Sequence, residues 1–115
     1  MLIAKRPRGA HLEGYWEFPG GKQEAGESLE SCVEREIAEE LGMRVKARER
    51  LLTVHHQYPS KRISLHVFRC GIVSGTPDSI QCDALMWVSP DELEAENFPP
   101  PDRRLIDVLF RKKGI

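Results

Sequence analysis

Hydrophobic positions in the first half of the chain recur at the spacing of a helix. Four apolar residues, each separated by three mostly polar ones, form a single stripe. The members of the stripe are Leu29, Val33, Ile37 and Leu41. Ser28 is a suitable N-cap before the stripe, and Gly42 is a suitable C-cap after it. The pattern therefore predicts a helix over residues 28–41.

Shorter apolar runs, bounded by Gly, Pro and polar turn residues, predict extended strands. The predicted strands are residues 2–6, 45–56, 62–73 and 84–88. A turn at residues 58–61 joins the two long strands into a hairpin. The last strand is expected to be buried, with Trp87 in the core. Strands that alternate with helices favour the α/β class, in which a mixed sheet carries helices on its faces, within a single domain over residues 1–115.

Two further helices are predicted after the hairpin. Ser89 to Glu92 has the composition of a capping box with proline at the first helical position, which predicts a short helix. Asp102 follows three prolines and is the expected N-cap of a last helix over residues 102–113. The apolar face of that helix would consist of Leu105, Ile106, Leu109 and Phe110. The basic residues 111–113 suit the negative end of its dipole.

Composition and charge narrow the class of partner. The chain has 17 Lys and Arg residues against 18 Asp and Glu residues, so its net charge of −1 argues against binding to a nucleic acid polymer. No apolar run approaches the ~20 residues of a membrane span, and the basic start does not resemble a signal peptide. Three separated cysteines are expected to be reduced thiols of a cytoplasmic protein. No feature indicates an oligomeric state.

Acidic residues on the predicted helix are placed unusually. Glu36, Glu39 and Glu40 lie within about 100° of one another and border the apolar stripe, whereas Glu34 is expected on the opposite, solvated face. Like charges at these spacings repel one another, unless a divalent cation with oxygen ligands lies among them. A Glu-rich surface helix explains the three residues equally well, so both interpretations are open at this point.

The spacing around the helix is more specific than the three glutamates alone. The segment is Gly21-x5-Glu27-x7-Arg35-Glu36-Ile37-x-Glu39-Glu40-x-Gly42-Met43. At every fixed position it resembles the Nudix box, G-x5-E-x7-R-E-U-x-E-E-x-G-U with U aliphatic. The chain is therefore similar to the Nudix hydrolases, and within them to the MutT type. The resemblance extends from LIAKR and WEFPGGK to the proline-rich stretch before the last helix.

The resemblance implies a Nudix-type α/β/α sandwich and a metal-dependent hydrolase that uses Mg²⁺ or Mn²⁺. Its expected substrate is a nucleoside triphosphate, with 8-oxo-dGTP favoured, and its products are a nucleoside monophosphate and pyrophosphate. The implied metal ligands are Gly21, Glu36, Glu39 and Glu40. The implied catalytic residues are the same three glutamates with Arg35 and Glu27. The implied substrate-binding residues are Arg6, Lys22, Phe18, Lys61 and Asp102.

One departure from the family pattern concerns the nucleobase. MutT has an asparagine at the position that Asp102 occupies, and an ionised aspartate accepts hydrogen bonds but cannot donate them. The resemblance therefore leaves a CTP or modified-dCTP pyrophosphohydrolase as an alternative. A non-catalytic nucleotide-binding module of the same family is a second alternative, which the complete set of box glutamates disfavours.

Two other departures concern the chemistry and the fold. Gln81 stands where MutT-like chains usually carry a glutamate, so catalysis is expected to rely on the box alone or to recruit Asp83. The family also has a strand before the one that matches LIAKR. Its absence, expected to come from a misassigned start or a truncation, would leave an unpaired strand edge or an open pocket.

Overall fold

The computed structural model describes residues 1–110, with the side chains of residues 1–108. Its strands are β1 (Leu2–Lys5), β2 (Trp16–Glu17), β3 (Arg44–Gln57), β4 (Arg62–Ser74) and β5 (Ala84–Trp87). Its helices are α1 (Leu29–Leu41) and α2 (Pro100–Phe110), with short 3-10 turns at Pro90–Glu92 and Ala95–Asn97. The long helix, the hairpin with its turn, the first and last strands and the short helix after Ser89 are confirmed within a residue or two of their predicted bounds.

Helix α1 begins and ends where the sequence predicts, because both of its ends are capped. The Ser28 hydroxyl accepts a hydrogen bond from the Ser31 backbone N–H at 3.1 Å. Gly42 has a φ of 67°, and its N–H donates to the Ala38 carbonyl. The apolar stripe faces inward, where Ile37, Leu41 and the following Met43 form one part of the core.

The strands form two antiparallel sheets. The first has the order β2-β1-β5, and β1 is its central strand. The second is the β3-β4 hairpin, which packs against α1 and α2. These sheets with their two helices confirm the α/β class. No helix of residues 1–110 is long and apolar enough to cross a membrane.

One long edge of the hairpin is open. Among the described strands, β4 pairs with β3 alone. A cavity of about 870 Å³ lies beside β4, and every residue from 62 to 70 lines it. Since side chains of both strand faces line the cavity, the unpaired backbone edge faces it.

The expected burial of the last strand is wrong at its end. Trp87 is 57% exposed, and the neighbouring Met86 is 45% exposed, whereas Val88 is buried. Trp87 lies opposite Leu2 in the β1-β5 pair, and both residues border the open cavity. An apolar strand is buried only where another element covers its face, which the pattern along the strand does not encode.

The start of the last helix also differs from its prediction. Helix α2 begins at Pro100, so Asp102 lies in its first turn and is not the N-cap. Prolines are tolerated there because the first N–H groups of a helix have no intrahelical acceptor. Leu105 and Ile106 are buried as expected. The predicted contributions of the Leu109 and Phe110 side chains and of residues 111–113 lie outside the described part of the chain.

The prediction that Glu34 lies on a solvated face is wrong. Its carboxylate accepts a hydrogen bond from the Ala47 backbone N–H at 3.0 Å and lies 3.9 Å from the Lys46 ammonium. Strand β3 passes that side of the helix, so the face opposite the apolar stripe is partly covered.

Candidate active site

The turn after β2 lies directly against the acidic side of α1. At Gly21 an added Cβ would overlap the carboxylate of Glu36, so only glycine fits this approach without displacing that side chain. On the same turn the Gly20 backbone N–H donates a hydrogen bond to Glu40. The pair of glycines therefore places backbone polar groups within reach of two carboxylates of the helix.

Arg35 is the centre of the acidic cluster. Its Nε and Nη2 donate to the two oxygens of Glu27 at 2.6 and 3.0 Å, a bidentate contact. Its Nη1 donates to Glu36 and to Glu39, both at 3.2 Å. Its Nη2 also donates to the Lys22 carbonyl at 3.1 Å, which ties the turn to the helix. The three carboxylates are thus brought together around one guanidinium.

These contacts shift the pKa values of the pair. The hydrogen bonds from Arg35 lower the pKa of Glu27 to about 2, and the hydrogen bond to Glu27 raises the pKa of Arg35. Both groups therefore stay charged over the whole physiological range. Their contact is a permanent ionic link between the loop before α1 and the helix itself.

Glu40 has a different environment from the other box glutamates. Burial, and then the nearby charges of Glu17 and Glu36, raise the pKa of Glu40 to about 7. A carboxyl that is costly to ionise near neutral pH, in a group of carboxylates, is a typical candidate for a catalytic or cation-binding role.

A second group of side chains lies where β1, β2 and α2 meet. Asp102 accepts a hydrogen bond from the Phe18 backbone N–H at 3.4 Å, and burial raises its pKa to about 6. The Phe18 ring stacks on Phe98 with centroids 5.4 Å apart. Phe18 and Asp102 line the cavity together with Gly20 and Gly21, whereas none of the glutamates around Arg35 lines it. The turn at Gly20 and Gly21 is therefore what connects the cavity with the acidic cluster.

Glu17 is a functional candidate that the sequence reasoning missed. Its carboxylate forms an ion pair with Arg6 at 3.4 Å, and burial raises its pKa. Its charge also raises the pKa values of Glu40 and Asp102, so it lies between the two groups. Glu17 lies in the WEFPGGK segment, but the aromatic residues and glycines of that segment predict packing and a turn, and nothing in the pattern singles out the glutamate.

The structure brings most of the predicted site residues together. Around Arg35 and the glycine turn it gathers Gly21, Lys22, Glu27, Glu36, Glu39 and Glu40. Beside them it places Arg6, Phe18 and Asp102. Lys61 belongs to neither group. It lies exposed in the turn at the tip of the hairpin.

Gln81 and Asp83 are exposed in the loop between β4 and β5. The backbone N–H groups of Ile80 and Gln81 donate to the Glu40 carbonyl at 3.2 and 3.3 Å. The loop thus caps the carboxyl end of α1 through its backbone. The expectation that one of its side chains assists catalysis stays a prediction.

The donor set suits a hard divalent cation. Carboxylates and backbone carbonyls are the oxygen ligands that Mg²⁺ and Mn²⁺ take, and the glycine turn leaves room for close approach. Within residues 1–110, no group of three or more His, Cys, Asp or Glu side chains is arranged ready to hold a metal ion. Three of the carboxylates, those of Glu27, Glu36 and Glu39, instead contact Arg35.

Comparison with known proteins gives matches over nearly the whole chain. The family model described as "NUDIX domain" matches residues 1–108. The CTP pyrophosphohydrolase of Escherichia coli (strain K12) is 33% identical over 110 residues, which span 96% of this chain and 82% of that protein. The 8-oxo-dGTP diphosphatase of the same strain is 32% identical over 111 residues, which span 96% of this chain and 86% of that protein.

Solved structures give the same picture of the fold. The crystal structure of a MutT protein from Methanosarcina mazei Go1 is similar with a TM-score of 0.82 at 26% identity. The match covers 99% of this chain and 85% of that one.

Proposed function

The chain belongs to the Nudix hydrolase family, and from that premise we propose that it is a metal-dependent nucleoside triphosphate pyrophosphohydrolase. Its proposed first substrate is 8-oxo-dGTP, which it would convert to the monophosphate and pyrophosphate. The observation that carries the proposal is the arrangement of Glu36 and Glu40 against the Gly20–Gly21 turn, with Arg35 holding the neighbouring carboxylates. Both relatives named above act, by their names, on nucleoside triphosphates.

The proposed ligands of Mg²⁺ or Mn²⁺ are Glu36, Glu39, Glu40 and the backbone of Gly21. A divalent ion supplies charge neutralisation of the polyphosphate and a more acidic water. Arg35 orients the carboxylates and Glu27 holds Arg35. Burial raises the pKa of Glu40 to about 7, so its oxygen is suited to take the proton of the attacking water.

In the cavity, Phe18 and Asp102 would contact the base, while Arg6 and Lys22 would contact the sugar-phosphate part of the substrate. Lys61 lies at the hairpin tip, so its proposed part in substrate binding requires the nucleotide to reach along β4.

A second candidate substrate is CTP or a modified dCTP. The pKa of Asp102, about 6, leaves the group mostly ionised at neutral pH, so it would accept a hydrogen bond from an exocyclic amino group. It could donate to the O6 of an oxidised guanine only when protonated. Asp102 is therefore the observation that favours the cytosine-type base.

The test is release of pyrophosphate from a panel of nucleoside triphosphates with Mg²⁺ or Mn²⁺, including 8-oxo-dGTP, CTP and 5-methyl-dCTP. Glu40→Gln is expected to lower kcat by about 10²-fold or more, because it loses both a ligand charge and a proton acceptor. Glu30→Gln is the matched control, since Glu30 is exposed in the first turn of the same helix. Binding of nucleotides without release of pyrophosphate from any of them would instead support the non-catalytic module.

We also propose that the protein acts in the cytoplasm on free nucleotides, without a nucleic acid polymer or a membrane as partner. In support, Cys32, Cys70 and Cys82 are all free thiols, as in a reducing compartment. The net charge of −1 gives no basic footprint for a polyanion.

A further inference from the structure

The Arg6–Glu17 pair lies near both groups of the candidate site, since its charges act on Glu40 and on Asp102. Arg6 follows β1 and Glu17 ends β2, which are adjacent antiparallel strands in which Ala4 is opposite Glu17. Arg6 Nη1 lies 3.4 and 3.5 Å from the two oxygens of Glu17, and Arg6 Nε donates to the His11 carbonyl at 3.0 Å. Both side chains are partly buried, at 29% and 27% exposure. The guanidinium is thus held on two sides.

The held guanidinium still has donors to offer. Within the described part of the chain, Arg6 Nη2 forms no hydrogen bond, so its two N–H groups remain for a ligand. The positive charge of Arg6 lowers the pKa values of Glu40 and Asp102, which places it near both of these groups. A nucleotide that contacts both groups would lie within reach of this guanidinium.

We propose that Glu17 is a positioning residue, which fixes the Arg6 guanidinium in the orientation that binds the nucleotide. The proposal rests on the proposed function, in which Arg6 contacts the substrate. Glu17 itself touches neither the substrate nor the metal ligands in this role. It acts by limiting the rotamers of Arg6, so that less conformational entropy is lost when the nucleotide binds.

The geometry favours positioning over a merely structural ion pair. The fold gives Arg6 a second anchor at the His11 carbonyl, so the chain would keep its shape without the carboxylate. Burial disfavours ionisation of Glu17, which raises its pKa, and an uncompensated carboxyl at this place would only destabilise the fold. Its presence near the carboxyls of Glu40 and Asp102 is explained by its contact with Arg6, whose guanidinium it holds in place.

The test is a double-mutant cycle on equilibrium binding of the product. Dissociation constants for 8-oxo-dGMP and CMP are measured in EDTA by calorimetry for the parent, Arg6→Ala, Glu17→Ala and the double variant. Each single variant is expected to weaken binding by about tenfold, and the double variant by no more than either one. Glu17→Gln keeps an oxygen that accepts from Arg6 and is expected to lose only about threefold.

Kinetics and controls complete the test. With the triphosphate, Glu17→Ala should raise KM while kcat changes less than about threefold, since only uniform binding is lost. Arg8→Ala, an exposed basic residue nearby, is the control and should leave binding unchanged. Thermal unfolding is measured for each variant to check that it folds. If Glu17→Ala does not fold, Glu17→Gln takes its place in the binding measurements.

Three results would overturn the proposal in distinguishable ways. Additive effects of the two substitutions would mean that Glu17 contacts the nucleotide directly. If Arg6→Ala binds the nucleotide weakly and Glu17→Ala binds it normally, the role of Glu17 is refuted, and the assignment of Arg6 in the proposed function stands. Normal binding by Arg6→Ala would refute the assignment of Arg6 in the proposed function, and the role of Glu17 with it.

Discussion

At the residue scale, Gly21 leaves the space that the Glu36 carboxylate, a proposed metal ligand, occupies. A methyl group there would overlap the end of the Glu36 side chain, which can rotate away while the backbone stays in place. We therefore expect Gly21→Ala to lower kcat/KM by about 10²-fold through misplacement of Glu36, with a much smaller effect on unfolding. The measurement is steady-state pyrophosphate release together with thermal unfolding. At Gly9 an added methyl meets open space but strains a backbone with a φ of 87°, so Gly9→Ala controls for backbone strain without a side-chain clash, and equal losses of activity in both variants would contradict the prediction.

Asp102 is the second residue that the proposed function singles out, as the group that would contact the base. Asp102→Asn keeps an oxygen that can accept from the Phe18 N–H and adds an amide donor. The ratio of kcat/KM for 8-oxo-dGTP to that for CTP is expected to rise by about tenfold or more, because a base oxygen then finds a donor. The same ratio for the parent should fall as pH rises through about 6, where Asp102 loses its proton. If the ratio changes neither with the substitution nor with pH, Asp102 does not take part in base recognition.

At the element scale, the loop before α1 is tied to the helix by Glu27 and Arg35. The pKa of Glu27 falls from 4.5 to about 2 on folding, so its ionised form stabilises the native state above about pH 4.5. This contribution is lost as pH falls towards 2. Glu27→Gln should therefore lower the thermal midpoint by a few degrees at pH 7, and the difference from the parent should disappear near pH 2. Glu30→Gln should show no such trend, and a pH-independent difference in Glu27→Gln would refute the ionic explanation.

The elements also show what sequence reasoning reaches. Helix α1 and the β3-β4 hairpin were predictable because their signals are local: a repeat of four with two caps, and two long runs around a turn. The exposure of Trp87 was not, since it depends on what covers the face of β5. The Arg6–Glu17 pair was also missed, because it depends on the register of β1 with the two-residue strand β2, which has no periodic signal.

At the scale of the whole molecule, the open edge of β4 faces a cavity that residues of both sheets line. Amides that point to β3 are hydrogen-bonded, whereas those that point to the cavity are not paired within residues 1–110. Hydrogen exchange along β4 should therefore alternate, with protected and fast amides at every second residue. The inner amides of β3 provide the reference on the same hairpin. Uniform protection of β4 would mean that its edge is covered in solution.

The guanidinium at the centre of the acidic cluster has a consequence for how the protein is made. Arg35 is an internal counterion shared by Glu27, Glu36 and Glu39, so its one positive charge offsets part of the repulsion among three negative ones. We therefore expect folding to depend less on a divalent cation than it does in domains whose metal ligands repel one another until the ion arrives. The newly synthesised chain would then reach its native shape first and acquire its ions later, together with the anionic substrate that would carry them.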